Sequence, residues 1–393
     1  HSVDFVLRGD GEATLPKLAN ILRQKGPLES VPGIAFDRKN GERHINPPAY
    51  VDDLDGLAPP AIDLLNTRFY ARNGKATLTI ASSRGCPMQC SYCCMGAHSS
   101  IPYRRRSVKH VMQEIIRAAA YREIGFIDFE DENMAMDRAW FADLLREIIR
   151  YFGARKPELR AMNGLYPPAL DEETIALMQN AGFRELNLSL GSCDGDQVRR
   201  FHRPPVVKAF DRALAWVEQM DMTAVGYLIA GAPGQDAFTS VDDLLYLASR
   251  RVLVGLSIYY PAPDSADFKN CKAAGLLPSS PLGWRSTALP LDHTTCRADS
   301  TTLLRLARIL NFMKHCWDEE GRLPTPEPFV HSTHHVSGNR SEIGRQLLRW
   351  FLNDGIFRGV SKNGDMVAHP TAMRLSQAFL KGLQNISIRG VSH

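Results

Sequence analysis

Between residues 76 and 260 the apolar positions switch repeatedly between alternating and helical spacing, which predicts short strands alternating with amphipathic helices. Residues 76–82 read as a strand. Ser107 is a good N-cap for a helix on which Val108, Val111, Met112, Ile115, Ile116 and Ala119 recur on one face. Gly125 is expected to end the turn into a second strand over 126–130. Asp137 caps a helix striped by Trp140, Phe141, Leu144, Leu145, Ile148, Ile149 and Phe152, and a third strand follows over 159–163. Asp171 opens a helix ending near Gly182, residues 185–190 form a fourth strand, and Pro205 starts a helix carrying Val206, Phe210, Leu214 and Val217. Residues 223–230 read as the fifth strand. Ser240 with Asp243 resembles a capping box ahead of Leu244, and 252–260 complete a sixth strand. Six such repeats predict an α/β fold, a partial (β/α)6 TIM-like barrel of parallel strands covered by helices. In parallel barrels the working groups sit at the C-terminal strand ends, so the loops that follow the strands are where chemistry is expected.

The flanks read differently. Residues 3–7 suggest a strand, 9–14 a turn, 15–22 a helix, and 33–42 a hairpin with Asn40-Gly41 at its turn. After residue 265 the alternation fades into Pro/Gly/Ser-rich sequence, followed by helices over 301–317, 341–352 and 371–383. Three units are therefore expected: 1–70, a short α/β piece with a linker; 71–265, the barrel core; and 266–393, a mostly helical extension.

A chain of 393 residues with 44% apolar composition can bury a large core. Its net charge of +4, with both signs spread throughout, supplies no strong nucleic-acid or membrane field. No apolar run is long enough to cross a bilayer, and the N-terminus lacks the basic and apolar regions of a secretion signal, so a cytoplasmic protein is expected. Four of the eight cysteines crowd into residues 86–94, and Cys193, Cys271, Cys296 and Cys316 are scattered singly. That distribution points to metal binding in a reducing compartment rather than to a disulfide framework.

The crowded cysteines carry the chemistry. Cys86, Cys90 and Cys93 stand at CxxxCxxC spacing just after the first strand of the barrel. Three thiols on one tight loop leave a metal position open, although a zinc-binding loop or three ordinary buried thiols would share the pattern. The spacing resembles the radical S-adenosylmethionine (radical SAM) superfamily. That resemblance implies that Cys86, Cys90 and Cys93 hold three irons of a 4Fe-4S cluster, and that S-adenosylmethionine chelates the fourth. It also places the backbone of Tyr92 against the adenine. Cys94 is assigned a packing role, since neighbouring side chains seldom reach one cluster.

Further positions are implied by the same resemblance. Asp131, Glu132 and Asn133, after the second strand, stand where relatives take the amino group of S-adenosylmethionine, with Glu132 the first choice; an acidic loop at a helix entry is the plain alternative. Ser189 falls on the strand that meets the ribose and methionine carboxylate, but Ser192-Cys193-Asp194 replaces the glutamate many relatives carry. Arg203 lies where an arginine often pairs with the carboxylate, against the reading of a surface arginine at a helix start. Gly231 and Gly234 resemble the adenine-side loop, in a pattern that ordinary tight turns also use. Tyr103-Arg104-Arg105-Arg106 is the densest basic run, and 259–265 could line a substrate mouth. His331, His334 and His335 form a low-specificity HxxHH.

Residues 1–70, including Asp52-Asp-Leu-Asp-Gly-Leu-Ala-Pro-Pro-Ala, resemble the end of the cobalamin-binding domain and linker of cobalamin-associated radical SAM proteins. No DxHxxG segment is present, and most of such a domain is absent, so cobalamin is not expected to be held by this chain alone. The resemblance implies a radical SAM enzyme that cleaves S-adenosylmethionine reductively and abstracts hydrogen from a small-molecule or peptide substrate, for methylation or rearrangement in secondary metabolism. Its partner would be an electron donor such as flavodoxin or ferredoxin. The alternative is a noncatalytic iron-sulfur or zinc-binding module pairing with a separate cobalamin-binding protein.

Overall fold

The N-terminal unit is strapped to the rest of the chain by two aspartates. The structure, a computed structural model, describes residues 3–95, 101–284, 290–330, 338–361 and 365–391. Strand β1 (Phe5–Leu7), helix α1 (Gly11–Gln24) and the hairpin β2 (Ile34–Asp37) and β3 (Arg43–Ile45) form an antiparallel β1-β2-β3 sheet with one helix. Leu18, Val31 and Ile34 make its small separate core. The helix starts at Gly11, four residues earlier than its apolar stripe suggests, so that the expected turn over 9–14 is largely helical. Asp10, buried at its N-cap, accepts from Val51 N at 2.8 Å and Arg84 at 2.8 Å, and pairs with Arg104. Asp55 accepts from Ser107 N at 2.9 Å.

The core follows as β4 (Ala71–Arg72), β5 (Lys75–Ile80), β6 (Ser83–Arg84), β7 (Arg104–Arg105), α2 (Val108–Tyr121), β8 (Ile124–Phe129), α3 (Arg138–Phe152), β9 (Glu158–Arg160) and α4 (Glu172–Ala181). Then come β10 (Glu185–Gly191), α5 (Gly195–Arg200), α6 (Val207–Gln219), β11 (Thr223–Ala230), α7 (Ala237–Ala248) and β12 (Leu253–Ile258). Strands β5, β8 and β9 pair in parallel, as do β10, β11 and β12. Parallel bridges Leu159↔Phe183 and Leu165↔Leu188 join the two sheets. The six strands thus run in chain order as a partial parallel barrel. One continuous apolar core holds it, including Ile127, Leu144, Leu188, Leu228 and Leu247.

Several local expectations change. Gly125 lies inside β8, not before it. Helix α7 begins at Ala237 under an Asp236 cap, so Ser240 and Asp243 are interior rather than a capping box. Asp243 is buried and accepts from Ser192 Oγ at 2.8 Å and Cys193 N at 2.7 Å, pinning the loop after β10. The short α5, which the sequence reading omits, is capped by Asp194. The basic run is neither an anion site nor a solvated loop: Arg104 pairs with Asp10, Arg105 with Asp137, and Arg106 with Glu114 at 2.6 Å.

Beyond the barrel lie α8 (Ala266–Ala273), α9 (Arg297–Glu320), α10 (Arg340–Asp354), the hairpin β13 (Arg358–Val360) and β14 (Met366–Ala368), and α11 (Met373–Leu383). Leu303, Leu310, Leu348, Phe351 and Phe379 of this region belong to the barrel's own apolar core. Helix α9 serves the open edge of β12 with a side chain: Asn311 Oδ1 accepts from Val254 N at 2.8 Å, and Asn311 Nδ2 donates to Val254 O at 2.9 Å. One turn later, fully buried Lys314 donates to Ala248 O at 3.2 Å, Arg250 O at 2.6 Å and Arg389 O at 2.7 Å. It ties the end of α7 to the C-terminal tail. Lys314→Met leaves Ala248 O its bond from Arg389 N and Arg250 O its bond from Val252 N but strips Arg389 O of its donor, and is expected to cost about 2 kcal/mol, since a buried unsatisfied group costs roughly 1–3 kcal/mol. Chemical denaturation would read this as a lower midpoint; a midpoint matching the parent would contradict it.

Candidate functional site

The C-terminal ends of all six parallel strands open into one cavity of about 520 Å³. Cys86, Cys90 and Cys93 line it from the loop after β5, Glu132 and Asn133 from the loop after β8, and Asn163 from the loop after β9. Ser189 and Gly191 reach it from β10, Tyr227 and Ile229 from β11, and Ser257 from β12.

The cysteine loop is fixed by backbone rather than by its thiols. Gly85 turns the chain into it at φ +78°, where a Cβ would sit 2.5 Å from Pro102 O, so the residue before Cys86 has no room for a side chain. Cys86 N donates to Met95 O at 3.1 Å, and Cys93 N to Cys90 O at 3.1 Å. Ser91 N donates to Phe201 O at 3.0 Å, Ser91 Oγ to Arg200 O at 3.0 Å, and Ser91 O accepts from Asp267 N at 2.9 Å. Tyr92 O accepts from Ala262 N at 3.2 Å, while its ring meets Phe201 edge-on with centroids 4.9 Å apart. The end of α5 and the start of α8, both absent from the sequence reading, are therefore what hold the three thiols.

Arg203 joins three distant parts of the chain. It donates to Ser189 O at 2.7 Å, Ser189 Oγ at 2.6 Å and Tyr92 OH at 3.1 Å, while its Nε is buried without a hydrogen-bond partner. Burial pushes the Tyr92 phenol up to about 12, so it stays protonated beside the guanidinium. Asn133 is buried, and its Oδ1 likewise lacks a partner. Burial pushes the Glu132 carboxyl above its ordinary value, with the nearby Asp131 adding to the shift.

The named residues do not all meet. Asp131 turns away from the cavity and accepts from Ser82 N at 3.2 Å, Ser82 Oγ at 2.7 Å and Ser83 Oγ, tying the end of β5 to the end of β8. Gly231, at φ +84°, faces α9: a Cβ there would lie 2.9 Å from Ser300 Oγ. Its carbonyl lies 2.9 Å from His293 Nε2, and Gly234 O accepts from Arg200. Both glycines shape the loop behind the cavity. His331, His334 and His335 lie outside the described residues. The sequence reading passed over Met88, Met162, Tyr166 and Tyr227. Tyr227 had a readable signal, an aromatic opposite Gly255 on the next strand, where a Cβ would come within 2.2 Å of its ring.

The donor set is three thiols, with Cys90 buried and Cys86 and Cys93 half-buried. Burial raises the pKa of Cys86 and Cys93, so a bound cation is what would hold them as thiolates. Among the described residues no three His, Cys, Asp or Glu side chains converge on a single-ion position. Three thiols on one cavity rim are a donor set of the kind a multi-iron cluster takes, one thiolate per iron.

The Radical SAM superfamily model matches residues 80–239. The chain carries a radical SAM domain. A hopanoid C-3 methylase of Methylococcus capsulatus is 28% identical over 266 residues, 67% of this chain and 50% of that protein. An anaerobic magnesium-protoporphyrin IX monomethyl ester cyclase of Synechocystis is 32% identical over 149 residues, 37% of this chain and 29% of the cyclase. The chain spans about half the length of the first of these relatives and less of the second. Among solved structures, the cobalamin-dependent S-adenosylmethionine radical enzyme OxsB aligns with a TM-score of 0.60 at 14% identity, covering 88% of this chain and 56% of that one. The radical S-adenosylmethionine methyltransferase TsrM from Kitasatospora setae aligns at 0.55 and 18% identity, covering 71% and 56%. These likenesses show the TIM-like fold of the radical SAM domain. No helix among the described residues is long and apolar enough to cross a membrane.

Within the radical SAM domain the two acidic neighbours differ in work. Asp131→Ala strands three donors and is expected to lower the unfolding free energy by about 3 kcal/mol, whereas Glu132→Ala, on the cavity wall, should cost under about 1 kcal/mol. Denaturation of the two variants side by side checks this; equal losses would contradict the division.

Proposed function

We propose that the chain is a radical SAM enzyme whose Cys86, Cys90 and Cys93 hold a 4Fe-4S cluster, with S-adenosylmethionine bound in the cavity beside them. The observation that carries this reading is the convergence of the three thiols with Arg203 and Asn133 on one cavity, with a buried polar atom of each of the latter two left unpaired. Natural interiors rarely leave such atoms unmet, so a ligand that bonds them is the economical reading. When bound, the cluster supplies the electron that splits the C5′–S bond of S-adenosylmethionine and yields the 5′-deoxyadenosyl radical.

The chain's own residues bind and shield. Arg203, pre-oriented by Ser189 and Tyr92, offers its guanidinium to the methionine carboxylate, and its two bonds to Ser189 keep it from swinging to solvent. Asn133 Oδ1 and the Glu132 carboxylate are acceptors for the methionine ammonium. Ile229 and Leu228 offer an apolar wall for the adenine. Met162, Tyr166 and Tyr227 line the cavity with apolar and aromatic surface, which suits a substrate with an unactivated, largely apolar body. Hydrogen abstraction at such a position leads to methylation or rearrangement, in keeping with relatives named as a methylase and a cyclase.

Cobalamin is named for the solved neighbours, of whose chains the alignment covers 56%. The N-terminal unit of this chain has the antiparallel β1-β2-β3 sheet and a core of Leu18, Val31 and Ile34. The proposed cleavage of S-adenosylmethionine does not depend on cobalamin.

Anaerobically reconstituted and reduced protein is expected to turn S-adenosylmethionine into 5′-deoxyadenosine, followed by chromatography. Arg203→Gln should raise the KM for S-adenosylmethionine at least about tenfold, the loss of a charge-assisted bond of roughly 1.5–3 kcal/mol, while iron content stays that of the parent. Absence of 5′-deoxyadenosine from cluster-loaded parent protein would overturn the proposal, and an unchanged KM would remove Arg203 from the site.

A further inference from the structure

Between α9 and α10 the C-terminal region forms a second cavity of about 230 Å³. Its walls come from Ile309 and Phe312 of α9, Leu347, Leu348 and Phe351 of α10, and Phe357 just before β13. Leu348, Phe351 and Phe357 are buried and join the main core, so the floor is rigid and apolar. Arg305 and Arg308, one turn apart on α9, stand on the same wall as Ile309 and Phe312.

These two arginines differ from most of their kind in this chain. Arg358, also on the wall, is paired with Asp354 at 2.6 Å and lies over the Phe329 ring at 4.0 Å. Arg345 on α10 pairs with Glu319 and, at 3.0 Å, with Glu320. Arg305 and Arg308 make no ion pair or hydrogen bond with the described residues, and Arg305 Nε is buried with its donor unused. Burial and the charge of Arg308 push the Arg305 guanidinium down, and the neighbouring His369 imidazole is pushed down by burial and by Arg305. Arg305 is half-buried, and its unused Nε carries a desolvation cost that an anion would offset, while the exposed Arg308 stands beside it at the rim.

We propose that this cavity binds the carboxylate end of a short molecule with an apolar body, the carboxylate forked by Arg305 and Arg308 and the body resting on Phe312, Leu347 and Phe351. The i, i+3 spacing presents two planar donor groups to one small anion, and a carboxylate accepts such forks with both oxygens. The volume limits the body: clefts for drug-sized ligands span roughly 300–1,000 Å³, so this one takes a fragment the length of a medium-chain fatty acid. A free arginine pair with no apolar floor would favour any anion, and an apolar floor with no arginines any hydrocarbon. Here both requirements apply together.

Octanoate, octanol and acetate separate these cases on the full chain, by isothermal titration and by thermal shift, neither of which depends on S-adenosylmethionine turnover. Octanoate is expected to bind saturably with one site per chain and to raise Tm, acetate to give no saturable heat, and octanol to bind at least about tenfold more weakly, the loss of a charge-assisted contact. Arg305→Gln and Arg308→Gln should each weaken octanoate by a similar factor; the exposed Arg308 provides a variant whose folding is not at issue. Octanol binding as tightly as octanoate, octanoate affinity unchanged in Arg308→Gln, or no saturation at millimolar octanoate would overturn the proposal.

Discussion

The structure depends on holding a loop with three thiols open at the mouth of a barrel. The thiols do little of this holding, Cys93 Sγ accepting from Met95 N at 3.4 Å within the loop itself. The loop is instead hung by its backbone: Ser91 bonds to the end of α5 with both N–H and hydroxyl and accepts from the start of α8, and Tyr92 O accepts from the loop after β12. Ser91 is almost completely buried, so these bonds lie in a low-dielectric setting where their loss would be expensive. The third quarter of the chain thus sets the geometry of a loop whose three thiols lie in the first.

That arrangement explains what the sequence revealed and what it hid. The strands were readable because each is a short apolar run: the fifth, 223–230, coincides with β11, and caps at Ser107, Asp137 and Asp171 fall where the spacing puts them. The CxxxCxxC run was readable because its meaning is local. Helices α5 and α8 escaped because both are short and α8 is weakly amphipathic, and α5 works through a backbone contact more than a hundred residues away. Asp243 was misread for a related reason: an acid that looks like part of a helix cap works instead as a buried acceptor for the loop after β10. Local pattern specifies elements, and long-range hydrogen bonding specifies the site.

Charge is the second thread. Arginines in this chain mostly find carboxylates, as the run Arg104, Arg105 and Arg106 does with Asp10, Asp137 and Glu114. A sequence shows a dense basic run but not the acids, one of them nearly a hundred residues away, that neutralise it. The informative arginines are those left over. Arg203 bonds only neutral oxygens and keeps an unused buried Nε at the strand mouth, and Arg305 keeps another at the edge of the α9–α10 cavity. Each sits beside an apolar wall, where an incoming anion gains more than it would in water.

The central claim is that the three thiols hold a cluster with one iron open to the cavity that Arg203 guards. Electron paramagnetic resonance of the reduced, anaerobically reconstituted protein, recorded without and with S-adenosylmethionine, tests it most directly. A reduced 4Fe-4S signal that changes when S-adenosylmethionine is added, and is absent when Cys86, Cys90 and Cys93 are replaced by alanine, is the predicted result. A protein that takes up stoichiometric zinc and shows no cluster signal would contradict it.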